Sequence, residues 1–301
     1  MKDNAIETKS CGEAGEVVRR VISVCEASDL AVWSVSCGKI VRHMAAESYQ
    51  LICPDAQIAT FEKSTATPWH ITGESHFSDD CSLQMIRSMA KGRNSERIHW
   101  LYQQFLKINA VRNSDLDDDS VVVIWDADTV PLREIRFIEE HGGRLLFYHG
   151  SERHRPYFDT IESLLGGGEL ADFSFIAQCL PVRVGWVRAL LKEIESRTGV
   201  SYVEAVLRIL PGESGSEFSE YETIGTWIWR SHPDRIVIRK KNRWLRNGAP
   251  LFGKRLDGGS ASLLFRFLSF RYDYVAIERW RRPVTIRRIV SALSRQLRLG
   301  K

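Results

Sequence analysis

The sequence predicts an α/β protein with a mixed, mainly parallel central sheet flanked by helices. The first observation is the segment 121–125, five consecutive apolar residues without alternation, which is typical of a strand covered on both faces. The second is that strand-like and helix-like patterns alternate along the chain. The third is size, because 301 residues with 44% hydrophobic residues suffice for one large domain and an appendage.

The predicted strands share short runs of apolar residues between turn-forming residues, at 30–36, 49–53, 121–125, 144–149, 173–177 and 235–239. The predicted helices share apolar residues three and four positions apart, at 80–91, 96–110, 156–165, 182–197, 202–210 and 220–230. Pro156 suits the first position of its helix. Because ligands bind at the carboxyl ends of strands in open α/β sheets, functional residues are expected there.

The charge pattern sets the tail of the chain apart. Residues 261–301 contain ten Lys/Arg and two acidic residues, a net charge of +8, whereas the rest carries −4. We therefore predict an N-terminal segment (1–28), one domain (29–260) and a basic tail (261–301). The apolar residues of the tail recur at helical spacing, as Ile286, Ile289, Val290, Leu293 and Leu297. Such a helix either lies on an anionic membrane surface or packs on its own domain.

Composition narrows the location and the partners. The first 20 residues are polar and acidic, so no secretory signal is visible, and no apolar run reaches the roughly 18 residues of a spanning helix. The six cysteines are scattered without a C-x-x-C pair, which argues against a zinc cage or a disulfide framework. The basic residues lack a nucleic-acid recognition motif. We expect a cytoplasmic protein, peripheral on the inner face of the membrane if the tail binds lipid, without a nucleic-acid partner.

Two carboxylates, Asp126 and Asp128, follow the apolar run directly. At the exit of a strand they can point into the same small volume, where a hard divalent cation with oxygen ligands would relieve their repulsion. The remaining cation positions are open to the phosphate oxygens of a nucleotide. Alternatively, the pair only begins a solvated turn.

Two chemistries fit this motif. One is sugar transfer from a nucleotide-diphosphate sugar. The other is phosphoryl transfer of the haloacid dehalogenase type, with Asp126 as nucleophile. That type needs the motif on its first strand and an acidic pair further on, whereas here the motif lies beyond residue 120 and the later aspartates are isolated. A third alternative is a non-catalytic membrane-surface adaptor that uses only the basic tail.

The helix before the motif carries a stripe of one aromatic residue, two amides and a cation, at Trp100, Gln103, Gln104 and Lys107. We predict that this stripe lines a nucleotide-sugar site, with Lys107 near the diphosphate, and we assign Trp125 and Asp126 to the same site. The alternative is that these are ordinary solvent-facing helix residues.

Further polar candidates follow two other predicted elements. His154 and Tyr157 come after the strand 144–149 and are predicted to contact the acceptor, although a plain basic loop is an alternative. Ser219 and Glu222 have the spacing of a capping box. Because that role leaves Glu220 unexplained, Glu220 is the better catalytic carboxylate and Glu222 the second candidate.

His232, beyond the same helix, is a candidate third metal ligand. A favourable position on the helix dipole explains it equally well.

The chain resembles an uncharacterised bacterial glycosyltransferase-like family of the GT-A superfamily of nucleotide-diphospho-sugar transferases, from about residue 29 to 248. The resemblance lies in five ordered segments: WLYQQFLK (100–107), WDADTVPL (125–132), HRPYF (154–158), SFIAQ (174–178) and FSEYETIGTW (218–227). It implies a single GT-A-like (Rossmann-like) domain, Mn²⁺ or Mg²⁺ at Asp126 and Asp128, and a nucleotide-diphosphate sugar donor. The expected acceptor is a glycan or glycolipid of bacterial surface polysaccharide synthesis. The segment QCLPVR from residue 178 departs from the family pattern.

Overall fold

The computed structural model describes residues 16–78, 81–89, 95–210, 217–252, 256 and 259–278. Its strands are β1 (Val18–Val24), β2 (Ser48–Cys53), β3 (Trp69–Gly73), β4 (Val121–Trp125), β5 (Thr129–Pro131), β6 (Leu145–Phe147), β7 (Cys179–Arg183), β8 (Ile236–Ile238), β9 (Trp244–Leu245) and β10 (Tyr274–Ala276). Its α-helices are α1 (Leu30–His43), α2 (Ile58–Glu62), α3 (Leu83–Met89), α4 (Ser95–Arg112), α5 (Arg155–Leu165), α6 (Val184–Thr198), α7 (Tyr202–Ile209), α8 (Glu220–Ser231), α9 (Ala249–Phe252) and α10 (Gly259–Ser269).

The central sheet has the order β3-β2-β1-β4-β7. The first four strands pair in parallel, and β7 pairs antiparallel with β4 at the edge. All five residues of β4 are buried, because the strand lies inside the sheet and both of its faces are covered. The predicted mixed, mainly parallel sheet with flanking helices is therefore confirmed.

Two smaller sheets complete the fold. One has the order β5-β10-β9, and the other pairs β6 with β8. β5 begins one residue after Asp128, and its partner β10 comes from near residue 275. A small apolar cluster that includes Val32, Val130 and Val275 joins this sheet to α1 and α10.

Most predicted elements are confirmed within a few residues, including β2, β4 and helices α3 to α8. The predicted strand 30–36 is wrong, because this segment belongs to α1, whose buried Trp33, Cys37 and Ile40 follow helical spacing. The predicted strand 173–177 is also wrong, since the segment only forms a single bridge between Ser174 and Gly150. The edge strand at this place is β7.

Both flanking segments of the predicted domain contribute to the fold. β1, the central strand, lies within 1–28, and most of α10 and all of β10 lie within 261–301. The predicted amphipathic helix around 286–297 lies outside the described residues. In the described part of the chain, no helix is both long and apolar enough to cross a membrane.

Candidate active site

The acidic pair occupies a tight turn at the carboxyl end of β4. The Asp126 amide donates to the Gln178 carbonyl at 3.0 Å, and the Thr129 amide donates to the Asp126 carbonyl at 3.0 Å. The Ile277 amide donates to the Asp128 carbonyl at 2.8 Å. The backbone of the turn is therefore held from both sides, which fixes where its two carboxylates can point.

Lys107 of α4 lies between two acidic residues. Its ammonium group donates to Asp126 and, at 2.8 Å, to Glu220 at the start of α8. Burial alone would lower the pKa of Lys107, but the two carboxylates outweigh it and raise that pKa above its ordinary value. Burial raises the pKa of Glu220, although Lys107 opposes the change. This trio comes from three distant segments.

Tyr221 joins the trio, because its hydroxyl donates to Asp126 at 2.6 Å and its ring lies 4.8 Å from the Lys107 ammonium. Gln104 adds a further contact, since its side-chain oxygen accepts from the Glu220 amide at 3.0 Å. The amide nitrogen of Gln104 is buried without a hydrogen-bond partner among the described residues. A buried donor of this kind suits a ligand oxygen.

Asp128 lies in an excess of negative charge. The pKa of Asp128 is held well above its usual range, first by burial and then by the neighbouring Asp126, Asp29 and Glu278 carboxylates. Within the described residues, no group of three or more His, Cys, Asp or Glu side chains could by itself hold a metal ion. A cation at Asp126 and Asp128 would therefore need further oxygen ligands from a substrate.

Glu222 serves the fold of the segment before β7. The Ser219 hydroxyl accepts from the Glu222 amide at 3.3 Å, so this half of the predicted capping box is confirmed. The reciprocal half is wrong, because the Glu222 carboxylate instead accepts from the Ser174 hydroxyl at 2.6 Å and the Phe175 amide at 3.2 Å. The Phe175 amide thus gains a partner outside any strand, and a catalytic role for Glu222 stays a prediction.

Burial raises the pKa of Glu222 to about 7, although the Ser174 and Phe175 hydrogen bonds lower it. The unfolded chain releases this proton near pH 4.5, whereas the folded chain keeps it until about pH 7. The free energy of unfolding should therefore fall by roughly 3 kcal/mol as the pH rises through that window. Urea unfolding at several pH values across this range should show that the free energy of unfolding falls less in Glu222→Gln than in wild type.

The matched control is Glu162→Gln on the exposed face of α5. It should keep the wild-type dependence on pH. Parallel curves for Glu222→Gln and wild type would contradict the assigned pKa.

The side chains of two predicted site residues make other contacts in the structure. Trp125 is fully buried, its indole nitrogen donates to the Thr129 carbonyl at 2.8 Å, and its ring packs on Tyr274, so its predicted ligand contact is replaced by a core position. His232 follows the last residue of α8, about 18 Å along the helix from Glu220. There it stacks on Trp186 with ring centroids 4.6 Å apart. This geometry does not provide a third ligand.

The remaining predicted residues surround the trio more loosely. His154 and Tyr157 contact each other edge to face at the start of α5. Burial raises the pKa of Tyr157 to about 12, and the Glu152 and Glu220 carboxylates add to the rise, so this ring is near the trio. Trp100 and Gln103 are half-buried on α4. Their roles as ligand contacts stay predictions.

Four residues missed by the sequence analysis shape the site: Asp29, Gln178, Tyr221 and Glu278. Gln178 has a left-handed backbone, with φ of 61°, and its amide nitrogen donates to Glu278 at 3.0 Å. A non-glycine residue in this region is strained and is often found at functional sites. Gln178 and Tyr221 lie in the quoted segments SFIAQ and FSEYETIGTW, and Gln178 also begins QCLPVR, so signals in the sequence were available for these two residues.

The surface formed by the described residues contains a cavity of about 550 Å³. Its lining consists of His149, Gly150, Ser151, Asp172, Phe173, Asn242, Trp244 and Arg246. Arg246 pairs with Glu152 and lies 3.5 Å from Glu278, the residue that also faces Asp128. The cavity and the acidic pair are thus joined through charged side chains.

No protein-family model matches the chain, and no curated protein matches it. Among solved structures, mouse xyloside xylosyltransferase 1 in its apo form is similar, with a TM-score of 0.44 and 12% sequence identity. The similarity covers 86% of this chain and 97% of that chain. The likeness is too distant to carry an argument about what this chain binds or does.

Proposed function

We propose that this protein is a metal-dependent glycosyltransferase that uses a nucleotide-diphosphate sugar. The carrying observation is the buried Asp128 at the carboxyl end of a central strand, which lies among the carboxylates of Asp126, Asp29 and Glu278 and near the buried Lys107–Glu220 pair. This is where a cation and a diphosphate would offset one another. The expected setting is bacterial surface polysaccharide or glycolipid synthesis.

Asp126 and Asp128 would hold Mn²⁺ or Mg²⁺, and the cation would neutralise negative charge on the leaving diphosphate. Tyr221 and Lys107 fix the orientation of Asp126 through the contacts described above. Glu220 would take the proton from the acceptor hydroxyl at a carboxylate oxygen. Its raised pKa makes it a stronger base than an exposed glutamate, while Lys107 favours its ionised form.

The acceptor would enter from the cavity side. Trp244 is half-buried and is fixed by a 2.9 Å hydrogen bond from its indole nitrogen to the His149 carbonyl. Phe173 is also half-buried, and the Asp172 carboxylate lies next to it. Aromatic faces with nearby polar groups are suited to a sugar ring. His154 and Tyr157 are proposed to contact the same acceptor.

Titration with UDP and GDP sugars, with and without Mn²⁺, tests the proposal. We expect binding that requires the metal, and sugar transfer or slow donor hydrolysis. An enzyme of the haloacid dehalogenase type would instead turn over generic phosphate esters and form a beryllofluoride adduct at Asp126. Either of those results, or metal-independent behaviour throughout, would contradict the glycosyltransferase assignment.

Glu220→Gln should lower the transfer rate by about 10² or more, because the variant cannot accept a proton. Donor affinity should change little, since Lys107 keeps its contact with Asp126. Glu222→Gln is the matched control on the same helix start and should keep most of the rate. Transfer rates and donor affinities of both variants are compared at one pH.

Equal rate losses in the two glutamine variants would show that the start of α8 acts as a unit. A normal rate for Glu220→Gln would remove it from the chemistry and indicate a retaining mechanism or another base.

A further inference from the structure

One side of α10 is apolar and exposed. Leu263, Phe267 and the adjoining Phe270 have 69%, 71% and 80% of their surface exposed. They are four and three positions apart, so they lie on one face of the helix and its end. Among described large hydrophobic residues, Val17 is the other exposed case, at 50%. We call the three-residue surface the α10 ridge.

The opposite side of α10 is firmly packed. Ala261, Phe265 and Leu268 are buried in the small apolar cluster with Val130 and Val275. The exposure of the α10 ridge is therefore not the result of a detached helix. Large exposed apolar residues that lie together usually mark an interaction surface.

The surroundings of the α10 ridge are basic. Arg266 and Arg271 are exposed, and the sequence 259–272 contains no acidic residue. On the packed side of the same helix, the Lys39 ammonium of α1 lies 5.0 Å from the centre of the Phe265 ring. Burial and then the Arg42 charge lower the pKa of Lys39.

Charge selects among three occupants of the α10 ridge. A second copy packed by a twofold axis would place this same basic surface on both sides of the contact, so Arg266 and Arg271 would face a surface with the same two arginines. The chain's own residues 279–301 contain eight Lys/Arg and no acidic residue, so their charge is also unfavourable. An anionic lipid surface is complementary to the arginines and takes up apolar side chains at its headgroup boundary.

We propose that the α10 ridge, with Arg266 and Arg271, docks the protein on an anionic membrane surface. The aromatic rings and Leu263 would enter the headgroup boundary while the arginines face lipid phosphates. α10 leads into β10, which pairs with the strand after Asp128, so docking would hold the candidate active site at the membrane. Vesicle binding needs no turnover, so this inference stands or fails separately from the proposed function.

Co-sedimentation of the full chain with vesicles tests the inference. Vesicles of phosphatidylcholine alone are compared with vesicles of phosphatidylcholine and phosphatidylglycerol in equal parts. We expect binding to the anionic vesicles that weakens with salt. Replacing all three ridge residues by Gln should lower the partition coefficient about 100-fold or more. Replacing both arginines by Gln should lower it about 25-fold, or about fivefold for each.

Val17→Gln is the matched control, because it removes an exposed apolar side chain elsewhere and should bind like wild type. Unchanged binding of the ridge variant would overturn the inference and leave the tail as the sole contact. Dimerisation without lipid that the ridge variant abolishes would also overturn it, in favour of a second copy. Circular dichroism confirms that each variant is folded.

Discussion

Asp128→Asn is expected to abolish metal-dependent donor binding and to lower the transfer rate by roughly 10³ or more. The amide keeps the size of the side chain but cannot offer an anionic oxygen to the cation. The metal-free protein should at the same time become more stable, because Asp128 is buried beside Asp126, Asp29 and Glu278. Donor titration with Mn²⁺ and urea unfolding without metal measure the two effects.

Because the transfer rate is expected to fall while the free energy of unfolding rises, the two measurements distinguish loss of the reaction from loss of the fold. Asp117→Asn, on the exposed loop before β4, is the matched control and should change neither property. A destabilised Asp128→Asn variant would show that the carboxylate is instead stabilised by partners within the protein. Full activity in that variant would remove the acidic pair from the reaction.

Lys107→Met should destabilise the protein by about 3–5 kcal/mol, since it leaves Asp126 and Glu220 buried without their shared cation. Methionine preserves most of the apolar stem, so lost packing contributes little. The double variant Lys107→Met/Glu220→Gln should recover part of this loss, because one of the two uncompensated carboxylates is gone. Urea unfolding of both variants provides the comparison.

Lys39→Met is the matched control, because Lys39 is half-buried on α1 above an aromatic ring and does not bridge two carboxylates. If Lys39→Met lowered the free energy of unfolding as much as Lys107→Met, the loss would follow from replacing any partly buried lysine and not from the two carboxylates. A double variant no more stable than Lys107→Met alone would contradict a shared ion pair.

The structure was most predictable from the sequence where a short run of residues is compatible with a single environment. β4 was predicted to the residue, because a strand covered on both faces leaves an uninterrupted apolar run. α1 was mistaken for a strand since its first residues, Leu30 to Trp33, are apolar in succession and the helical period emerges only by Ile40. β1 was missed because Arg19 and Arg20 interrupt its apolar run.

The segment 173–177 was mistaken for a strand for a different reason. It is as buried and apolar as a strand, but its Phe175 amide donates to a side chain from α8 instead of a neighbouring strand. That partner, Glu222, lies 47 positions from Phe175 in the sequence. A pattern read over a few residues cannot contain such a partner.

The same limit applies to the candidate site. Lys107, Asp126 and Glu220 could each be selected from their own segments, but their ion pairing depends on the packing of α4 and α8 at the end of β4. Asp29 and Glu278 were missed because their only distinction is proximity to Asp128. Trp125 was predicted to contact the ligand because it directly precedes the motif, but its side chain points into the core.

The backbone hydrogen bond from the Ile277 amide to the Asp128 carbonyl makes the acidic turn a late element in the order of folding. The acidic turn reaches its final form only when the chain about 150 residues later has joined β5 through β10. Contacts of such high sequence separation close slowly, because a long loop must be ordered first. During synthesis, a ribosome would have to extend the chain from Asp128 to beyond Ile277 before the turn became complete. A nascent chain should therefore carry the two aspartates for many seconds before it can bind a cation with them.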